Sequence, residues 1–582
     1  MFAALLSGFP LLLSVNARSV RLFRSSYRGL SAATSSLSRR ASPWSIALIA
    51  VAFVVALPVL VVFAHIAMPT DGVWQHLAST VLGRYLNNTF WLVVIVGLGT
   101  LVIGTGTAWL VVMCRFPGKR LFEWGLLLPL AVPTYVIAYA YTDFLQFAGP
   151  LQSLLRETFG WEYGDYYFPN VRSLGGAATV ITLVLYPYVY LLARASFLEQ
   201  SVCVLDVGRT LGRGPWRLFA SVAVPLARPA LVGGVSLVLM ETLNEFGAVQ
   251  FFGVDTFTTG IYRTWFGMGE QVAAAQLAAC LLTFVIVLVL LERWSRGKRR
   301  YFHTTNRYQQ LPEYVLHGWR AAAATLACLL PVLVGFLLPS GILLNLALQG
   351  GDSLWGSRFI GYAWNSLGLA TVAALIAVGL AVVLSYGVRM HDTTFARVAA
   401  RVASMGYAIP GSVVAVGILI PFTWLDNALN TWLNNHYGYI IGLVFSGSAF
   451  ILLYAYVVRF LAVSFNAVEA SLGKVTPSMD AASRTLGQTA GGTLRHIHTP
   501  MMRSSLLAAG ILVFVDVMKE LPATIILRPF NFDTLAVRAH NLASDERLAE
   551  ASTSSLAIVV VGILPVILLS MAMRRSRPGA NS

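Results

Sequence analysis

Twelve continuous apolar runs, each long enough to cross a lipid bilayer as a helix, leave this chain very few folds to adopt. A hydrocarbon core about 30 Å thick takes about 20 residues of α-helix. The runs lie at 44–67, 88–114, 122–145, 175–198, 229–252 and 272–292 in the first half, and at 321–347, 365–388, 402–424, 439–462, 506–528 and 552–573 in the second. Their hydrophobicity is unbroken where a membrane β-strand would alternate, so a β-barrel is excluded. The expected fold is an all-α polytopic membrane protein. Charge points the same way: 11% of the 582 residues are Asp, Glu, Lys or Arg, against about 25% in a water-soluble domain.

The net charge of +16 informs through its placement. Short basic loops stay cytoplasmic. Arg18, Arg21, Arg24, Arg28, Arg39 and Arg40 precede the first run, Arg574, Arg575 and Arg577 follow the last, and alternate connections are basic, as at Arg293/Arg296/Lys298/Arg299/Arg300. Both termini are therefore expected in the cytoplasm, which agrees with an even number of spans. Charges that orient helices give no reason to expect a nucleic-acid partner. Residues 1–15 are apolar but short and lack a basic start, so they read as neither signal peptide nor span. Cys114, Cys203, Cys280 and Cys328 show no CxxC or Cys/His spacing. Neither a disulfide framework nor a metal cage is expected.

The halves repeat. Asp206-Val-Gly-Arg-Thr-Leu-Gly212 is followed after twelve residues by Pro225-Leu-Ala-Arg228, and Ala481-Ala-Ser-Arg-Thr-Leu-Gly487 after twelve by Pro500-Met-Met-Arg503, an offset of 275. Asn88-Thr89 matches Asn365-Ser366, and Pro133 matches Pro410, at 277. Glu241 and Glu245 match Asp516 and Glu520, again at 275. Six spans per copy is an even number, so the copies are parallel repeats about an axis along the membrane normal. The layout expected is a basic cytoplasmic arm at 1–43, six spans in 44–300, a cytoplasmic linker at 301–320, six spans in 321–573 and a basic tail at 574–582.

The repeated loop is polar, with Leu218/Phe219 and Leu494/Ile497 as an apolar side, and it ends at a Pro expected to start the next membrane helix. One reading is a surface hairpin left by duplication; the other is a pair of short helices offered to a symmetric soluble partner. The pattern Glu-Ala-Ala-x3-Gly, with an aromatic seven and a Pro thirteen residues beyond the Gly, is the cytoplasmic loop motif of binding-protein-dependent ABC importer permeases, and this chain resembles that family. Gly212/Phe219/Pro225 fit its later positions; Gly487/Leu494/Pro500 fit with Leu for the aromatic. The leading triplet departs, being Asp206-Val207-Gly208 and Ala481-Ala482-Ser483, with Asp480 one residue early. The stretches Glu241–Thr259 and Lys519–Leu535 resemble the fused ferric-iron permeases within the family.

The resemblance implies a type I ABC importer permease fold in a bacterial inner membrane. It implies two copies of a cytoplasmic ATPase, which use ATP and Mg and each receive one loop, 206–228 or 480–503, as a coupling helix, and a periplasmic substrate-binding protein docking on outer loops including 146–174 and 529–551. The chain itself is then no enzyme and binds no cofactor. It has no GxxxxGK[ST], since Gly118-Lys119-Arg120 and Gly473-Lys474-Val475 lack the hydroxyl that would reach Mg²⁺. Arg228 and Arg503 fall at the headgroup boundary, where anchoring to lipid phosphate is an equal reading.

An ionisable group inside a span costs several kcal/mol unless solvated or paired, so it usually faces a cavity. Glu241 and Glu245, one turn apart on one helix face, and their repeats Asp516 and Glu520 are the candidates for a cation pathway; interhelical hydrogen bonding is the other reading. Lys519 is adjacent to Glu520 and a candidate to neutralise an acid. Tyr186/Tyr188/Tyr190 read as an aromatic seam, and His496/His498 as ordinary surface residues. Thiamine or polyamine permeases share the scaffold, and an ion-coupled secondary transporter is the alternative from another class. A secondary transporter has no use for paired docking loops.

Overall fold

Helix dominates because almost every backbone polar group inside a bilayer must be satisfied within its own segment. The computed structural model describes residues 43–70, 72–162, 164–199, 214–296, 313–352, 356–390, 393–473 and 475–575. The basic arm, Asp206, Gly212, most of the linker and residues 576–582 lie outside the described residues. The principal helices are α1 (Pro43–Ala64), α2 (Leu82–Met113), α3 (Thr134–Leu145), α4 (Leu174–Glu199), α5 (Val224–Asn244), α6 (Gln271–Arg296), α7 (Gly318–Val332), α8 (Ser357–Met390), α9 (Gly411–Tyr437), α10 (Ala449–Leu472), α11 (Thr499–Met518) and α12 (Leu548–Arg575). Among the described residues eleven helical stretches are long and apolar enough to cross a membrane. A twelfth candidate is a pair, Lys119–Ala131 and Thr134–Phe159, bent by 90°.

That bend corrects the expected span 122–145. Pro133 has no N–H and pushes Val132 into extended backbone (φ −101°, ψ 125°), so one helix stops and α3 starts after the proline. Pro410 does the same before α9, which begins at Gly411 and not at 402. The tenth span starts at Ala449, ten residues late, because 438–448 is a loop held on the Asp426 carboxylate, which accepts from the Val444, Phe445 and Ser446 amides at 2.8–3.1 Å.

Prolines also explain the helix entries into α5 and α11. Pro225 and Pro500 stand in the first turn of α5 and α11 as expected, but the helical paths already begin at Pro215 and Ala490 and run into them through π-type turns at 219–223 and 494–498. A proline inside an α-helix leaves a carbonyl unpaired and collides with it. A wider turn two residues earlier relieves that collision. The same arrangement precedes Pro339, after a π-type turn at 333–337.

The repeat is visible in hydrogen bonds. Asn88 Nδ2 donates to the Asp255 carbonyl at 2.9 Å, and Asn365 Nδ2 to the Asp533 carbonyl at 3.1 Å. Yet the halves interlock. α1 packs on α8 and α9, and α6 joins it on α9, while the continuation of α7 (Leu338–Gly350) packs on α3 and α12 packs on residues 128–131. Backbones touch at these crossings: a Cβ on Gly417 would lie 2.3 Å from the Pro58 carbonyl oxygen, and one on Gly562 would lie 2.2 Å from that of Ala131. Pro58 deprives the Val54 carbonyl of its helical donor, and the Tyr454 hydroxyl from the second half supplies one. Reciprocally, Tyr141 of the first half donates to Val334 in the path broken at Pro339.

Candidate functional site

Two sets of residues repeat with chemistry attached: the connections that lead into α5 and α11, of which the first is described from residue 214 on, and the carboxylates at the far ends of those helices.

In the second hairpin, the helix Pro477–Thr485 ends in a Gly cap. Gly487 has φ +80°, its N–H reaches the Arg484 carbonyl (3.0 Å), and the Gln488 N–H reaches that of Ser483 (3.1 Å). Thr489 then caps Ala490–Thr493, and Ser483 Oγ lies 2.7 Å from Thr493 Oγ1, clipping the two short helices together. Asp480, the displaced acid, turns inward: Arg389 Nε donates to it at 2.9 Å and His498 Nε2 lies 2.8 Å away. His498 is fully buried and edge-on to Tyr386, which corrects its reading as a surface residue; His496 is exposed. Arg389 also donates to the Leu472 and Val475 carbonyls, strapping the hairpin to the end of α8. Outward it shows Leu486, 80% exposed, with Arg484 and Arg495. Leu494 is half-buried in the apolar cluster with Tyr386 and Met502, and Pro500 and Arg503 are exposed. In the first copy Phe219 packs on Trp109 (5.0 Å between rings), Trp216 is 76% exposed, and Pro225 and Arg228 follow within the helix.

The carboxylates meet where the halves face each other. A chamber of about 70 Å³ is lined by Glu241, Glu245, Asp516 and Glu520, with Tyr135, Arg459 and Lys519. Glu241 and Glu245 are not on one uninterrupted helix face as expected. α5 ends at Asn244, and Glu245 is extended (φ −62°, ψ 128°), so that its carboxylate accepts from the Ala248 N–H (2.9 Å) and caps the next short helix, Gly247–Phe251. Glu520 repeats this after α11, accepting from the Ala523 N–H (3.2 Å) at the start of Pro522–Leu527. Both acids thus sit at broken helices, as binding groups of transporters often do.

Among the described residues that line the chamber, the cations come from the second half. Arg459 of α10 is 2% exposed and bonds Glu520, and its other amine lies 3.7 Å from Glu241 across the seam. Lys519 pairs with Asp516 at 3.0 Å, not with Glu520. At the 275 offset their first-half counterparts are Val184 and Asn244. Asn244 Oδ1 accepts from the Gly411 N–H at 2.7 Å, a further cross-seam bond. Thr134 donates to Glu245, while the Tyr135 hydroxyl, buried beside Glu245 and Glu520, has no hydrogen-bond partner among the described residues. Arg459 is the site residue that the repeat could not reveal; a single arginine inside an apolar run was its signal. No group of three or more His, Cys, Asp or Glu is placed to cage a metal among the described residues. Tyr188, which the seam reading covered, faces cavity with Tyr407, whereas Tyr186 and Tyr190 are buried in the packing.

The chamber adjoins a larger cavity of about 630 Å³, sharing Leu130, Tyr188, Tyr407, Asp516 and Lys519. That cavity reaches Glu292, Asn466 and Leu512, which lie nearer the hairpin ends of α6, α10 and α11. On the opposite side Leu521 and Tyr135 close on Gly247, where an added Cβ would lie 2.7 Å from each side chain.

Known proteins with similar sequences carry names that bear on this geometry. The family model described as binding-protein-dependent transport system inner membrane component matches residues 100–301. The Fe(3+)-transport system permease protein FbpB 2 of Haemophilus influenzae is 25% identical over 497 residues, 84% of this chain and 90% of that one. The ferric transport system permease protein FbpB of Actinobacillus pleuropneumoniae is 23% identical over 552 residues, 90% and 75% of the two chains. A Salmonella typhimurium protein named for 2-aminoethylphosphonate transport, PhnU, is 30% identical over 218 residues, 37% of this chain and 75% of that one.

Proposed function

This chain belongs to the binding-protein-dependent transport system inner membrane components and is a multi-pass inner-membrane protein, and from that premise we propose that it is a two-halved permease subunit of an ATP-driven importer of ferric iron. The observation that carries the cargo is the seam chamber, where four carboxylates face two cationic side chains. A net acidic lining favours a cation over an oxyanion, which argues against phosphonate and agrees with the ferric names of the relatives that span most of the chain.

The hairpin side is cytoplasmic in this reading, because Arg217, Arg228, Arg389, Arg397, Arg401, Arg484, Arg495 and Arg503 all lie there. Both termini then lie in the cytoplasm. A separate ATPase, in two copies, hydrolyses ATP and grips one hairpin each, through Trp216 on one and Leu486 on the other. Their approach tips the halves about the seam, a rigid-body motion that closes the wide cavity and opens the roof formed by Leu521, Tyr135 and Gly247. A periplasmic binding protein delivers iron to that roof, and the acids receive it. The chain supplies passage and coupling, and the bond chemistry belongs to the ATPase.

The test is uptake of ⁵⁵Fe, phosphonate, molybdate and thiamine by proteoliposomes holding this chain, its ATPase and the binding protein. ATP-dependent accumulation of iron alone supports the reading. Accumulation of another cargo with none of iron refutes it.

A further inference from the structure

We infer that Arg459 is a tethered counter-cation, which holds Glu520 and faces Glu241 while cargo is absent and gives up Glu241 when the halves part. The inference rests on the proposal that this chamber carries a cationic cargo. It begins from an asymmetry. The acids recur in both halves, but Arg459 answers to Val184, an apolar residue that also lines the chamber. One guanidinium therefore serves acids of both halves: it bonds Glu520, its neighbour in the second half, and stands 3.7 Å from Glu241 of the first.

The two contacts differ in what a rigid-body motion does to them. α10 and the α11 break move together as parts of one half, so Arg459 keeps Glu520. Glu241 belongs to the other half, and its longer contact is the one that separation breaks. An acid inside a membrane left without its cation attracts another. Separation thus frees Glu241, which lines the chamber with Glu245, to receive cargo.

A second, independent observation points to a ligand there. Tyr135 is 3% exposed and lines the same chamber, and its buried hydroxyl is satisfied by no group among the described residues. A phenol beside carboxylates is an oxygen donor set suited to a hard, highly charged cation. With the halves together the chamber holds no ready-made cage for a metal among the described residues. Arg459 takes that place, which keeps other cations of the cytoplasm from settling on the acids between cycles.

Terbium(III), a hard trivalent ion, is the probe, measured by equilibrium dialysis on the full chain assembled with its ATPase, and terbium held at the nucleotide sites is subtracted as that bound by the Glu241→Gln/Tyr135→Phe complex in the same state. The nucleotide-free wild-type complex is expected to bind it weakly, and the complex trapped with ADP and vanadate to gain one site at least about tenfold tighter. Arg459→Met is expected to show that site without trapping, Arg459→Lys to behave as wild type, and Arg459→Met combined with Glu241→Gln and Tyr135→Phe to lose it. Equal binding by wild type in both states overturns the inference, and needs no variant to fold. Equal binding by Arg459→Met and wild type without nucleotide overturns it as well. Iron uptake stays a separate measurement, so the counter-cation can fail while the iron permease stands.

Discussion

Glu520 illustrates how little room a charged group has inside this protein. Arg459 bonds it, the Ala523 N–H reaches it, and Gly411 lies against it. A Cβ at Gly411 would stand 2.8 Å from Glu520 Oε1 and 3.1 Å from Arg459 Nη1. Gly411→Ala is therefore expected to cost about 1–3 kcal/mol through displaced packing, read as a lower melting temperature in detergent; an unchanged melting temperature would contradict the geometry. At this scale the acids were legible because they recur, at one offset, in spans where charge is expensive. Arg459 was harder to find because its counterpart is Val184, so a search for repeats passes over it. His498 was misread because its partner Asp480 is remote in sequence by 18 residues, and pairing at that distance is set by the hairpin's fold.

Elements were legible in number and less so in their ends. Apolar length marks a helix that can cross a membrane, but the breaks at Pro133 and Pro410, at Glu245 and at Glu520 fall inside apolar runs, where hydropathy alone gives no sign. Side-chain caps and prolines set them. Gly487 is a case in which an element's end has a function attached. Its φ of +80° disfavours any side chain, while nothing lies within 4 Å of an added Cβ. Gly487→Val is expected to strain the cap by about 1–2 kcal/mol without disturbing the bundle. The variant should insert normally yet hydrolyse ATP with reduced uptake; full uptake would show that the hairpin's shape is not used in coupling. Tyr141→Phe tests the interlock between halves. Removing the donor to the Val334 carbonyl should cost about 1–3 kcal/mol, visible as earlier thermal unfolding, and no loss of stability would mean that another group satisfies that carbonyl.

At the scale of the molecule, the repeat predicts two equal halves, whereas the structure shows halves that clasp one another. α1 and α6 close on α9 of the second half, and the α7 path and α12 close on the third span of the first half. Contacts so spread along the sequence have no local signature, so this arrangement was hidden from any reading of periodicity. It has a functional consequence. The acids of both halves border one chamber at the seam, so relative motion of the halves acts on them directly. In the proposed cycle cargo passes between those acids. That passage is tested most directly by ⁵⁵Fe uptake per ATP hydrolysed in proteoliposomes, comparing the wild-type complex with the Glu245→Gln/Glu520→Gln variant at matched abundance. Uptake is expected to fall by at least about tenfold with ATP hydrolysis retained; unchanged uptake per ATP would remove these acids from the path.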